Sequence, residues 1–471
     1  MKTPAVDVVT PQAWRTLRWT CTAVFMALLD ATILFVAFPS IRRSFASVST
    51  ADLSWILNAY TVVYAALLVP AGRIADRVGR RRVFLQGVGL FTLGSLACGI
   101  APTPLLIVAG RMLQAVGGAM LTPASLALIL SAFPRARWPI AVSLWAAVGA
   151  LAAAVGPSLG AAIIQFGGWR WAFFVNLPVG LVTFARGRAA LVESRDTTVE
   201  DAVDVIGIGL LMLAVGLVAL ALVKGHDWSA ASVLAFCGAG ALFLGVFVSR
   251  AKRVKAPALD LSLFDAASFR YANAATLVFG AAFSAMFLGS VLFLTNVWGY
   301  NTARAGLALT PGPLIVLVVA PLAGRLAARV GQRALLLPGG AIFGLGFFLR
   351  YLATSSTPHY VAEWLPAMVL TGIGVGLVLP SLASASAHSL PAHRFAVGSG
   401  VNQAIRQIGS VLGVSVVVVL VGSARGLDAL QAFYKLFLFL ALAGLLTALL
   451  SVAIDTRPAI KSSPSDAAVT G

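Results

Sequence analysis

A ten-residue phrase occurs twice in this chain. Residues 72–81 are GRIADRVGRR and residues 324–333 are GRLAARVGQR, identical at seven of ten positions and 252 residues apart. Each copy lies in a short basic gap between long apolar runs. A water-soluble fold has no place for such runs. Here 59% of residues are hydrophobic and 11% are charged, whereas a soluble domain carries roughly 25% charged residues. Apolar runs of about 20 residues predict membrane-spanning helices. An internal repeat in such a chain predicts two similar helical halves facing each other across a central site. Asp76 in the first copy is Ala328 in the second, so the halves have diverged.

Fourteen spans are predicted, near 14–38, 54–73, 82–101, 104–130, 138–165, 171–191, 203–223, 230–250, 269–297, 303–328, 334–353, 360–384, 396–421 and 428–454. The expected fold is an all-α membrane protein with a six-helix half at 14–191, an inserted helix pair at 203–250 and a second six-helix half at 269–454. The first run is too long for a cleavable signal and no A-x-A site follows it, so it is expected to be retained. With the N-terminus inside, 24 of the 34 Lys and Arg residues fall in cytoplasmic tails and gaps, including Arg135. Seven fall outside, Arg350 among them, and three lie within spans: Arg111, Arg406 and Lys435. That bias predicts both termini in the cytoplasm, and it explains the +18 net charge without nucleic acid. Three scattered cysteines give neither a disulfide framework nor a metal site. The acidic stretch Glu193, Asp196, Glu200, Asp201 and Asp204 is expected to be a solvated loop.

Only one acid, Asp30, falls deep in an apolar run. A carboxylate at the bilayer centre costs roughly 2.5–3.5 kcal/mol on insertion scales and marks a proton or ion pathway, or a fixed pair. Arg111 is the expected partner, since both residues fall about 10–12 Å below the same membrane surface. Burial favours the neutral acid and a guanidinium favours the carboxylate, and the balance between them is a route to coupling. A permanent structural bridge is the other reading. Arg406, with Asn402, Gln403 and Gln407, makes a polar patch that either lines a cavity or meets helix ends and lipid headgroups. Lys435 is close enough to a surface to snorkel.

Span 5 carries Gly149, Gly156 and Gly160 around Pro157, a smooth face for close helix approach with a built-in bend. It forms either a tight interface that resists leak or ordinary membrane packing. In the repeated gap, Asp76 is expected to pair with Arg73, Arg77 or Arg80 and to approach a helix N-terminus, a latch for one conformation. Phe25, Phe35, Trp55, Tyr60, Tyr64, Trp145, Phe287 and Trp298 are available to line an apolar cavity. No nucleotide loop, catalytic triad or metal cluster stands out, so no enzyme activity is expected.

These residues resemble the major facilitator superfamily, in particular its fourteen-helix drug:proton antiporters of the QacA and EmrB type, over about residues 14–455. The resemblance is carried by LDATILFVAFPSI (29–41), WILNAY (55–60), GRIADRVGRRR (72–82), RMLQAVGGAMLTPAS (111–125), GPSLGA (156–161), WRWAFFVNLPVG (169–180) and PALDLSLFDAASF (257–269). It implies alternating access in a bacterial cytoplasmic membrane. The expected exchange is of inward protons for an exported lipophilic drug, antiseptic or natural product. The proton gradient is the energy source, with no cofactor and no metal. It implies coupling at Asp30 and Arg111, a conformational latch at Gly72, Asp76, Arg77, Gly79 and Arg80, and an antiporter helix shaped by Gly149, Gly156, Pro157 and Gly160. Phe35, Gln114, Asn402, Gln403 and Arg406 are the cavity candidates. Expected partners are the substrate, protons and membrane lipids around a monomer. A lipid exporter or a proton-coupled importer of the same fold is the alternative. Phe35 stands where the family has asparagine, and Ala115 and Ala161 replace glycines. The second half lacks deep acids, which argues against divalent cations as substrates.

Overall fold

Thr10, Ser49, Thr103, Asp204, Ser229 and Asn301 each precede a helix and accept a backbone N–H from its first turn. These caps satisfy donors that lipid could not. The computed structural model describes residues 9–134, 137–195, 204–225, 228–255, 257–388, 390, 395–422 and 427–454. Its helices are α1 (Pro11–Ser44), α2 (Thr50–Val78), α3 (Arg80–Ile100), α4 (Pro104–Ala132), α5 (Trp138–Gly167), α6 (Trp171–Phe174), α7 (Asn176–Ala190), α8 (Val205–Lys224) and α9 (Ala230–Ala251). They continue with α10 (Ala267–Asn296), α11 (Thr302–Leu309), α12 (Pro311–Val330), α13 (Arg333–Ala353), α14 (Leu365–His388), α15 (Phe395–Val421) and α16 (Leu427–Ser451).

Thirteen of these segments among the described residues are long and apolar enough to cross a membrane, with α11 and α12 counted together. Helices α6 and α7 are each too short. Val175 between them keeps helical torsions (φ −59°, ψ −25°), so the two make one further crossing. The fold is the all-helical, fourteen-crossing architecture expected from the sequence. Helices α1–α7 pack chiefly on one another, as do α10–α16. The α8–α9 pair lies outside both groups, with α8 against α2 and α15. Helix α9 covers α8 and turns Leu234 and Leu242 outward, 72% and 66% exposed, as lipid contact requires. Lys224 pairs with Asp52 at 2.7 Å, and Arg73 donates to the Pro257 carbonyl at 2.9 Å. These contacts pin the α8–α9 segment to α2 at both ends.

The two copies of the repeated phrase fold alike. Gly79 ends α2 with φ +128° and Gly331 ends α12 with φ +83°, and each N–H returns to a carbonyl four residues back. The acidic stretch is not simply solvated. The Glu193 carboxylate accepts the N–H groups of Arg81 (3.0 Å) and Arg82 (3.2 Å), which caps α3 and sits favourably on its dipole. Asp204 caps α8 and pairs with Arg250 at 2.8 Å. Asp196, Glu200, Asp201 and Arg135 lie outside the described residues. A Cβ on Gly79 would sit 2.8 Å from the Glu193 carboxylate in a backbone region that costs other residues about 1–3 kcal/mol. Gly79→Ala is therefore expected to lower the thermal midpoint in detergent by several degrees. An unchanged midpoint would show that this turn does not need glycine.

Candidate functional site

Asp30 is 2% exposed, in the middle of α1. Its Oδ2 accepts from Arg111 Nη1 of α4 at 2.5 Å. Its Oδ1 accepts from Asn176 Nδ2 of α7 at 2.7 Å and from Gln114 Nε2 at 3.2 Å. Gln114 and Asn176 also donate to Ser95 Oγ of α3, at 2.6 and 3.2 Å. Arg111 donates to the Ile56 carbonyl of α2 at 3.2 Å and to Gln114 Oε1 at 2.8 Å. Its guanidinium lies 4.0 Å from the centre of the Tyr60 ring. The carboxylate joins α1, α4 and α7, and its partners extend the cluster to α2 and α3. Charge-assisted hydrogen bonds such as these are about twice as strong as neutral ones. Each bond offsets part of the cost of burying the pair.

The expected pairing of Asp30 with Arg111 is present. Sequence reasoning missed Asn176, although it lies inside the quoted WRWAFFVNLPVG segment. Gln114 belongs to this cluster and is fully buried, so it does not line the cavity as expected.

The central cavity, about 70 Å³, lies beside this cluster. Its wall includes Phe35 from α1, Tyr60, Thr61 and Tyr64 from α2, Arg111 and Thr122 from α4, and Gln407 and Ser410 from α15. Tyr60 and Tyr64 stack at 5.7 Å, and Tyr64 donates to Thr122 at 3.2 Å. Phe35 is in ring contact with Phe287 at 5.8 Å, so the aromatic exchange at position 35 narrows the space between α1 and α10. Asn402 does not reach this wall. It donates to Asn273 and Thr276 of α10 at 3.0 and 2.8 Å and belongs to α10–α15 packing. Gln403 and Arg406 are partly accessible and joined to each other at 3.2 Å. Trp298 packs instead with Phe293 and Trp364.

Arg350 is not in an outer gap. It lies within the last turn of α13 and is 1% exposed, with Nη1 on Ser290 Oγ at 3.2 Å and its guanidinium 3.8 Å from the Trp364 ring. The aromatic pair Phe347–Phe348 just before it was the available signal. Lys435, by contrast, is exposed.

On α5, Gly156 and Gly160 face α1, where an added Cβ would meet Thr32 and Ile33. The other side of α5 meets α11: a Cβ on Gly306 would fall 2.7 Å from the Pro157 carbonyl. Gly149 approaches only Leu28. In the repeated gap, Asp76 pairs with Arg80 at 2.8 Å, and Arg73 reaches Pro257 instead. No salt bridge joins Asp76 to Arg77 among the described residues. Gly72 packs on Pro123 of α4. The acid on the α3 N-terminus is Glu193, not Asp76.

On the face that carries the α1–α2 turn, Arg42 donates to Asn296 Oδ1 at 2.9 Å and Arg43 to Thr302 at 3.4 Å. These bonds join α1 to the ends of α10 and α11. Together with the α5–α11 contact they join the two groups of helices on that face.

A family model described as Major Facilitator Superfamily matches residues 20–414 and 273–469. The multidrug resistance protein Stp of Mycobacterium tuberculosis is 34% identical over 83% of this chain and 73% of its own. The methylenomycin A resistance protein of Streptomyces coelicolor is 32% identical over 94% of this chain and 92% of its own. Among solved structures, a bacterial homolog of the human lysosomal transporter Spinster superposes with a TM-score of 0.69 at 16% identity, covering 94% of this chain and 98% of that one. That likeness is one of fold. The chain belongs to the Major Facilitator Superfamily, as a multi-pass membrane transporter and not an enzyme.

Proposed function

We propose that this protein exports a lipophilic small molecule from the cytoplasm in exchange for protons, by alternating access across a bacterial cytoplasmic membrane. The observation that carries this reading is the buried Asp30–Arg111 pair at the cavity wall. The resistance relatives support the drug or antibiotic class of cargo. The Lys and Arg bias supports cytoplasmic termini. On that orientation Arg42, Arg43 and the α5–α11 contact join the two groups of helices on the outer side.

Coupling follows from the charges. Protonation of Asp30 removes the only counter-charge of Arg111 among the described residues. The guanidinium is then left with neutral acceptors and the face of Tyr60. A buried cation without its partner is strongly disfavoured, so protonation favours a rearrangement of α1 against α4. We take the α1–α7 and α10–α16 groups as the moving halves, in a lipid-embedded monomer that needs no cofactor.

The test is reconstitution into liposomes with a pH-sensitive dye in the lumen and a panel of lipophilic antibiotics. Each transported compound is expected to drive a proton flux opposite to its own movement. Compound flux with no proton movement, or proton and compound moving the same way, would overturn the antiport reading.

A further inference from the structure

Given the exporter reading above, we propose that Arg406 is the substrate-binding cation of the central cavity. The substrate is then a lipophilic organic acid that presents an anionic oxygen, a carboxylate or phenolate, to this guanidinium.

Helical spacing puts Gln403, Arg406, Gln407 and Ser410 on one face of α15. Gln407 and Ser410 are part of the cavity wall. Arg406 has its backbone packed against Gly280 of α10 and stands next to the wall residue Gln407, one turn before Ser410. It is partly accessible. Its side chain donates to Gln403 Oε1, and no carboxylate among the described residues pairs with it. A guanidinium has five N–H donors, so most of its capacity is unspent.

The acid of the site is spent. Asp30 already accepts from Arg111, Asn176 and Gln114 and is almost fully covered. A cationic ligand would therefore find no carboxylate in the wall. An anionic oxygen would supply the partner the Arg406 cation lacks, and a planar acid suits the two-pronged guanidinium. The stacked Tyr60–Tyr64 pair has Arg111 over the Tyr60 ring. Aromatic surface is thus on hand for the apolar body of the ligand.

The test measures equilibrium binding in phosphatidylcholine nanodiscs, with no proton gradient. The probes share one body: 1-pyrenebutyrate, its methyl ester and (1-pyrenylmethyl)trimethylammonium. Wild type is expected to bind the carboxylate at least about tenfold more tightly than the quaternary ammonium. Arg406→Gln is expected to abolish that preference, and Arg406→Lys to retain part of it. The wild-type series needs no variant to fold. Preference for the ammonium, or an unchanged preference in Arg406→Gln, would overturn the proposal. So would displacement of the carboxylate by phosphatidylglycerol, which would assign Arg406 to a lipid headgroup. Binding is read without protons, so the two proposals fail separately. Arg406-dependent acid binding without proton flux would sink antiport alone. Proton exchange with cations that persists in Arg406→Gln would sink this inference alone.

Discussion

Asp30→Asn is expected to stop proton-driven transport and to destabilise the protein at the same time. Asparagine keeps the size of the side chain and can still bond to Asn176 and Gln114, but it cannot titrate. It also leaves the Arg111 guanidinium buried and unpaired, a change that typically costs about 3–5 kcal/mol. Loss of activity in the single variant would therefore be ambiguous. Asp30→Asn/Arg111→Gln removes both charges from a site that is 2% exposed at each residue. The double variant is expected to regain much of the thermal stability, since a neutral hydrogen-bonded pair carries no desolvated charge. It is not expected to regain coupling. Gradient-driven transport should stay about a hundredfold below wild type or lower, because the pair's carboxylate is gone. Thermal midpoints and counterflow in liposomes, measured on all three proteins, separate the two roles. A stable double variant that still moves protons with substrate would reduce the pair to a structural bridge.

Much of this site was legible in the sequence because burial of charge is costly. A lone Asp in an apolar run has to be satisfied, and equal depth along two helices pointed to Arg111. Asn176 was not legible in the same way. An uncharged amide in a membrane helix gives no comparable alarm, and α7 reaches Asp30 only through the way three helices pack. Gln114 and Asn402 failed as cavity candidates for a related reason. Composition says that a helix is polar there, but the rotation of the helix decides whether the amide meets the cavity, the Asp30 cluster or Asn273. The repeat was legible, but not that Gly79 and Gly331 end their helices with the same positive φ. The acid that caps α3 was not, since Glu193 comes back to residues 81 and 82 from more than 110 positions away. Arg350 was misplaced because a charge three residues from a span's end was expected to reach water, whereas its aromatic neighbours cover it.

Gly156→Val is expected to cost more than any other single change on α5. A Cβ at position 156 would stand 2.0 Å from Thr32 Oγ1 and 2.8 Å from Thr32 Cβ. Thr32 cannot swing aside: its hydroxyl is bonded to the Leu29 carbonyl at 2.9 Å, and a β-branched side chain has few rotamers in a helix. The backbone of α1 has to move, only two residues from Asp30, whose bond to Arg111 is 2.5 Å long. Overpacking of this kind costs about 1–3 kcal/mol, so at least about a tenfold loss of transport is expected if the moved helix weakens the pair. Gly149 gives the contrast within the same motif. There the added carbon would meet only Leu28 Cδ1 at 3.2 Å, the far end of a flexible side chain, so Gly149→Ala is expected to transport nearly as well as wild type. Thr32→Gly/Gly156→Ala shifts the small residue from α5 to α1 and should recover most of the activity that Gly156→Val loses. Transport rates in liposomes, normalised to folded protein, decide the matter. Equal losses at positions 149 and 156, with no recovery in the exchanged pair, would mean that α5 needs its glycines for motion and not for its fit against Thr32.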